Sequence, residues 1–141
     1  MILINFEDTK ILDLDPEFFV SWLNVVCKYH DNELGDVSLI FCSDEYLLDM
    51  NRKHLDHDYY TDIITFDYTT EDAVSGDLFV SIDRVLENAS DLSTDFRSEL
   101  NRVVVHGVLH LLGFRDKSPE EAKCMRKLED QALLLIVPRE T

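Results

Sequence analysis

Hydrophobic positions along this chain follow two rhythms, alternation and a three-to-four-residue repeat, and the switches between them mark out its elements. The apolar start at 2–6 predicts an opening strand. Asp15-Pro16 reads as an N-cap with proline at the first helical position. Phe18, Phe19, Trp22, Leu23, Val25 and Val26 then recur at helical spacing, so a first helix is expected to about Tyr29. Gly35 marks a turn, and 37–42 (Val-Ser-Leu-Ile-Phe-Cys) reads as a buried strand. A second helix starts at Ser43-Asp44-Glu45, with Tyr46, Leu47, Met50 and Leu55 on its inner side.

A polar, aromatic loop over 56–60 leads into 61–67, whose β-branched alternation predicts a strand. The stretch 76–82 predicts another, and the two are expected to pair as a hairpin. A short helix over 83–89 follows, and Ser93-Thr94-Asp95 opens a long helix carrying Phe96, Leu100, Val103 and Val104. Ser118-Pro119-Glu120-Glu121 is a capping box with proline at the first helical position. It begins a last helix through Met125, Leu128 and Leu133 that ends before Pro138. The order β-α-β-α-β-β-α-α-α predicts an α+β fold. A single domain over 1–141 is expected, with a four-stranded mixed sheet packed against about five helices.

Composition changes this picture little, since only four glycines and three prolines argue against linkers. Charge changes it more. The net charge of −16 repels nucleic acid in general, and no DNA partner is expected. Its distribution is uneven: 115–127 holds Arg115, Lys117, Lys123, Arg126 and Lys127 against Asp116, Glu120 and Glu121. A second basic group is Arg52-Lys53-His54, with His57 close behind. The dispersed cysteines 27, 42 and 124 fit buried thiols in a reducing compartment. The N-terminal stretch has no basic segment ahead of a long apolar run, so neither a signal peptide nor a membrane span is expected, and the location is read as cytoplasmic.

The candidate chemistry sits at the end of the long helix, in His106-Gly-Val-Leu-His110-Leu-Leu-Gly113-Phe-Arg-Asp116. Residues four apart share a helix face, so both imidazoles can address one ion. Gly113 can adopt the left-handed conformation that turns the chain back and brings Asp116 round as a third ligand. Three protein ligands and an open position describe a catalytic zinc site, with one zinc ion expected on His106, His110 and Asp116. Such an ion activates water and polarises the group attacked. Zinc peptidases of the metzincin type share the spacing but carry a glutamate base after the first histidine; here that position is Gly107, which disfavours peptidase activity. An iron oxygenase triad of two histidines and a carboxylate is disfavoured by the helix-rich pattern.

These eleven residues closely resemble the signature of the YbeY-type endoribonucleases, His-Gly-x-x-His-Leu-x-Gly-[Tyr/Phe]-x-His. Thr61-Asp-Ile-Ile-Thr-Phe66 is similar to that family's Thr-Asp-Val-Leu-Ser-Phe, Gly76-Asp77-Leu78 to its Gly-Asp-Ile, and Asn51 to the Asn of its Leu-Asn pair. The resemblance implies zinc held by His106, His110 and residue 116. It further implies hydrolysis of single-stranded RNA in small-subunit ribosomal RNA 3′-end maturation and ribosome quality control, with ribosome-associated proteins as further partners. Two positions depart from the pattern: Asp116 replaces the usual histidine, and Leu55 replaces a loop arginine. No catalytic side chain is assigned; Arg52, His57 and Arg115 are supporting candidates, and Thr61, Asp62 and Asp77 are candidates for the substrate groove. The competing class is a zinc-stabilised, ribosome-associated binding module without catalysis.

Overall fold

The computed structural model describes residues 1–136. Its elements are β1 (Ile2–Glu7), α1 (Pro16–Tyr29), β2 (Leu34–Cys42), α2 (Asp44–His54), β3 (Ile63–Asp67), β4 (Val74–Ser81), α3 (Ile82–Asp91), α4 (Phe96–Leu111) and α5 (Pro119–Leu134). One four-stranded sheet runs in the order β1-β2-β4-β3. β1 and β4 lie parallel to β2, and β3 pairs antiparallel with β4 as the expected hairpin. The α+β architecture with a mixed sheet and five helices is therefore the one the pattern predicts.

Alternation along the strands sorts side chains onto two faces. Val37, Leu39 and Phe41 of β2, with Leu78 and Val80 of β4, enter the main core with residues of α1, α3, α4 and α5. The intervening Cys42, Ile64, Phe66 and Phe79 meet Leu47, Tyr46 and Met50 of α2 in a smaller cluster on the other face. α4 is the central helix, and Gly107 sets how close it lies to the sheet. A Cβ there would stand 2.7 Å from Ile63 Cδ1 and 3.0 Å from Leu78 Cδ2. Two long-range polar links fasten α5 in place. Trp22 Nε1 donates to the Ala132 carbonyl at 2.8 Å, and Arg102 of α4 pairs with Glu129 and Asp130.

Several local expectations need correction. Gly35 lies inside β2, where pairing with β4 shifts register between Leu34 and Val37, instead of marking a turn. β3 starts at Ile63, and Ile82 begins α3 because the Ser81 hydroxyl caps it by accepting from Arg84 N. Val25 is exposed, as is Leu55, which caps α2 while Leu48 and Asn51 take the buried positions. In α5 the buried face is Met125, Glu129 and Ala132; Leu128 and Leu133 are only half-buried. The expected stop at Pro138 lies outside the described residues.

Candidate metal centre

The centre is built by the way α4 ends. Asp95 caps its start, accepting from Ser98 N at 2.8 Å. At its far end Gly113 takes φ +102°, with the Gly113 amide donating to the His110 carbonyl and the Phe114 amide to the Leu109 carbonyl, each at 3.0 Å. That pair of bonds is a Schellman turn, which reverses the chain after a helix through a residue in the left-handed region. Two residues beyond Asp116, Ser118 starts α5 with the expected capping box. Asp116 is thus carried on a segment fixed at both ends by helix caps.

The turn also orients a ligand. His110 Nδ1 lies 2.9 Å from the carbonyl of Phe114, and His106 Nδ1 lies 2.7 Å from Glu129 Oε2. Both partners are acceptors, so each Nδ1 carries the donated hydrogen, and in the neutral ring each Nε2 offers a lone pair. Those two Nε2 atoms stand 3.0 Å apart, and Asp116 Oδ2 is 3.2 Å from one and 3.3 Å from the other. Three acceptor atoms at such distances repel unless a proton or a metal cation lies between them. With metal–ligand bonds of about 2.0–2.1 Å, neighbouring ligand atoms around one tetrahedral ion lie about 3.3–3.4 Å apart, close to both Asp116 distances and slightly wider than the imidazole pair. Two imidazoles and a carboxylate suit a first-row transition ion, and the chain's own residues fit one.

The strongest support for the histidines comes from α5. Glu129 is 5% exposed and bridges His106 to Arg102, whose Nη1 is 2.9 Å from Glu129 Oε1. Burial lowers the affinity of His106 for a proton, but the hydrogen bond and charge of Glu129, with Asp116 and Asp62, outweigh it and raise its pKa. Beside the triad opens a cavity of about 320 Å³ whose walls include Asp62, Glu99, Arg102 and Arg126. Burial pushes the carboxyls of Asp62 and Glu99 above the usual range.

The predicted residues are not all brought together. His106, His110 and Asp116 form the one cluster of potential metal ligands among the described residues. Asp62 joins their cavity, accepting from Asn88 Nδ2 at 3.3 Å. Thr61 sits just before β3, its hydroxyl directed to the Ile63 carbonyl at 3.4 Å. Asp77 interacts with the Tyr68 hydroxyl, and neither it nor Thr61 lines the metal cavity. Arg52 is paired with Asp58, and His57 stacks on Tyr59 and shares a 2.9 Å hydrogen bond with its hydroxyl. Arg115 is exposed and lines a different cavity, with Phe114 and Cys124. Asn51 holds the loop before β3 instead of entering the centre, donating to the Tyr59 carbonyl at 2.9 Å. Sequence reasoning missed Glu129, Glu99 and Arg102. The available signal was spacing: Glu99, Val103, His106 and His110 fall on one helix face, as do Met125, Glu129 and Ala132.

Comparison with known proteins gives the family. A model of the endoribonuclease YbeY family matches residues 4–136. A Parabacteroides distasonis protein named endoribonuclease YbeY is 46% identical over 92% of this chain and 92% of its own length. The protein of that name from Phocaeicola vulgatus is 44% identical over 96% and 99%. The solution structure of TM1509 from Thermotoga maritima superposes with a TM-score of 0.61 at 28% identity, covering 94% of this chain and 89% of that one. With nearly its whole described length matched, the chain belongs to the endoribonuclease YbeY family.

Proposed function

We propose that this protein is a zinc-dependent endoribonuclease that cleaves single-stranded RNA at the centre formed by His106, His110 and Asp116. The observation that carries the metal reading is the convergence of three potential ligand atoms within 3.0–3.3 Å while each Nδ1 is engaged elsewhere. The relatives' shared name supports RNA as the substrate class.

When bound, a zinc ion supplies positive charge opposite a phosphate and lowers the pKa of coordinated water. The protein's residues do the rest. Glu129 and the Phe114 carbonyl keep both imidazoles in the tautomer that offers Nε2. Asp62, Glu99, Asp116 and Glu129 outnumber Arg102 and Arg126 in the cavity, so a divalent ion offsets the acidic lining. An anionic substrate is admitted only in that state. This accounts for RNA cleavage by a chain of net charge −16. Arg126, the less constrained of the two arginines, is placed to meet a phosphate oxygen. We assign the biological role to maturation of the small-subunit ribosomal RNA 3′ end and ribosome quality control in the cytoplasm, with ribosome-associated proteins as partners. No helix among the described residues is long and apolar enough to cross a membrane.

The test is chelator treatment followed by restoration with zinc, assayed on matched single-stranded and duplex RNA. Cleavage of the single strand should vanish and return, with the duplex spared. Zinc binding without cleavage of any RNA would instead establish the non-catalytic binding module.

A further inference from the structure

The metal cavity does not end at Arg102. A second cavity of about 230 Å³ continues from it, and Glu99, Arg102 and Arg126 line both. Its other walls are Leu92 and Thr94 from the segment before α4, Ser98 of α4 and Leu133 of α5. It is smaller than the several hundred Å³ of a typical ligand pocket and suits a single planar ring.

Glu99 stands at the junction. Its side chain is 95% buried yet forms no hydrogen bond or ion pair among the described residues. Its carboxyl faces the two cavities it lines, so its oxygens are open to a hydrogen bond from a ligand there. The two arginines beside it differ. Arg102 is committed to Glu129 and Asp130 at 2.9 and 2.7 Å, whereas Arg126 is 56% exposed and 3.7 Å from Glu129. One guanidinium is structural, and the other can turn towards an incoming anion.

A nucleotide presents phosphate, ribose and base in that order. We propose that the two cavities form a ribonucleotide subsite: Arg126 takes the phosphate, Glu99 hydrogen-bonds the ribose 2′-hydroxyl, and the base lies between Leu92 and Leu133. This rests on the endoribonuclease reading and deepens it, since the 2′-hydroxyl is what distinguishes RNA from DNA at a given site. Burial and the neighbouring Asp62 push the Glu99 carboxyl up, reducing the charge it sets against a phosphate. The exposed Leu92 then has a use at the rim, as an apolar surface for a base.

The experiment is an NMR titration of the isotopically labelled, zinc-loaded full chain with uridine 5′-monophosphate, its 2′-deoxy analogue and inorganic phosphate. The monophosphate should shift the amides of Leu92, Thr94 and Glu99 and bind about five- to tenfold tighter than the deoxy form, the worth of one hydrogen bond. Phosphate alone should perturb the Arg126 side chain and leave Leu92 and Thr94 unmoved. Glu99→Ala should bring the ribo/deoxy ratio to about one, Glu99→Gln should keep most of it, and Arg126→Ala should weaken both nucleotides equally. Thermal unfolding of each variant confirms that the fold persists. The subsite is overturned by equal affinity for ribo and deoxy forms, by shifts confined to the metal ligands, or by no shift at about 10 mM nucleotide, above even millimolar affinity. These readings involve no cleavage, so the subsite can fail while the nuclease stands, and the reverse.

Discussion

At the residue scale, the two histidines are controlled by what their outer nitrogens touch. Glu129 holds His106 and is itself held by Arg102, so Glu129→Ala both frees a ring and leaves Arg102 with Asp130 alone. Loss of such an orienting carboxylate costs about 10–100-fold in metal affinity. Glu129→Gln, which keeps an acceptor, should lose less; competition with a chromophoric chelator measures both. Glu99 gives a pH prediction. Burial raises its carboxyl above the unfolded value, so the folded state holds the proton more tightly, and stability falls as pH rises through the window from the unfolded value upward. Glu99→Gln should therefore be more stable than wild type at neutral pH, with the gain disappearing below the carboxylate range, as denaturant unfolding at several pH values would show. Spacing alone puts each glutamate on a face shared with inward residues, but charged side chains are ordinarily read as solvated. Only the packing of α4 against α5 reveals that they point inward.

At the element scale, strands and helices were legible because alternation, N-caps and the Ser118 capping box act locally. The metal motif was legible for the same reason: helix pitch and one glycine turn fix it within eleven residues. Gly107 was legible only in part. Its lack of a side chain reads as a missing base, but the structure adds that its surface abuts Ile63 and Leu78. The two glycines should therefore fail differently. Gly107→Ala overpacks the helix–sheet contact, a cost of about 1–3 kcal/mol, and should lower the melting temperature. Gly113 has open space but φ +102°, so Gly113→Val strains the turn that places Asp116 and should weaken zinc binding more than Gly107→Ala does. Equal zinc affinity in the two variants would contradict this account of the turn. The misplaced inner face of α2 has a similar cause: Leu55 continues the apolar rhythm, but the helix ends at His54 to release the loop that Asn51 holds.

At the scale of the whole molecule, the three thiols report the packing. Burial pushes Cys27 up to about 11 and Cys42 to about 12, while Cys124 is exposed. A thiol reagent at neutral pH should find one reactive group per native chain and three after unfolding. The metal should also stabilise the entire fold, because its ligands and their supports join α4, the turn and α5. Free zinc at about 100 times its dissociation constant adds about 2.7 kcal/mol, a rise of about 5–10 °C in melting temperature for a domain of this size. Support of RNA cleavage by one ion at His106, His110 and Asp116 is the step on which the proposed function stands. It is tested most directly by measuring zinc per chain and single-stranded ribosomal RNA cleavage on the same nuclease-free preparations of wild type, His110→Ala and Asp116→Ala. Wild type should hold one zinc and cleave, and the variants should lose both together. Full-rate cleavage by the zinc-free variants would contradict it.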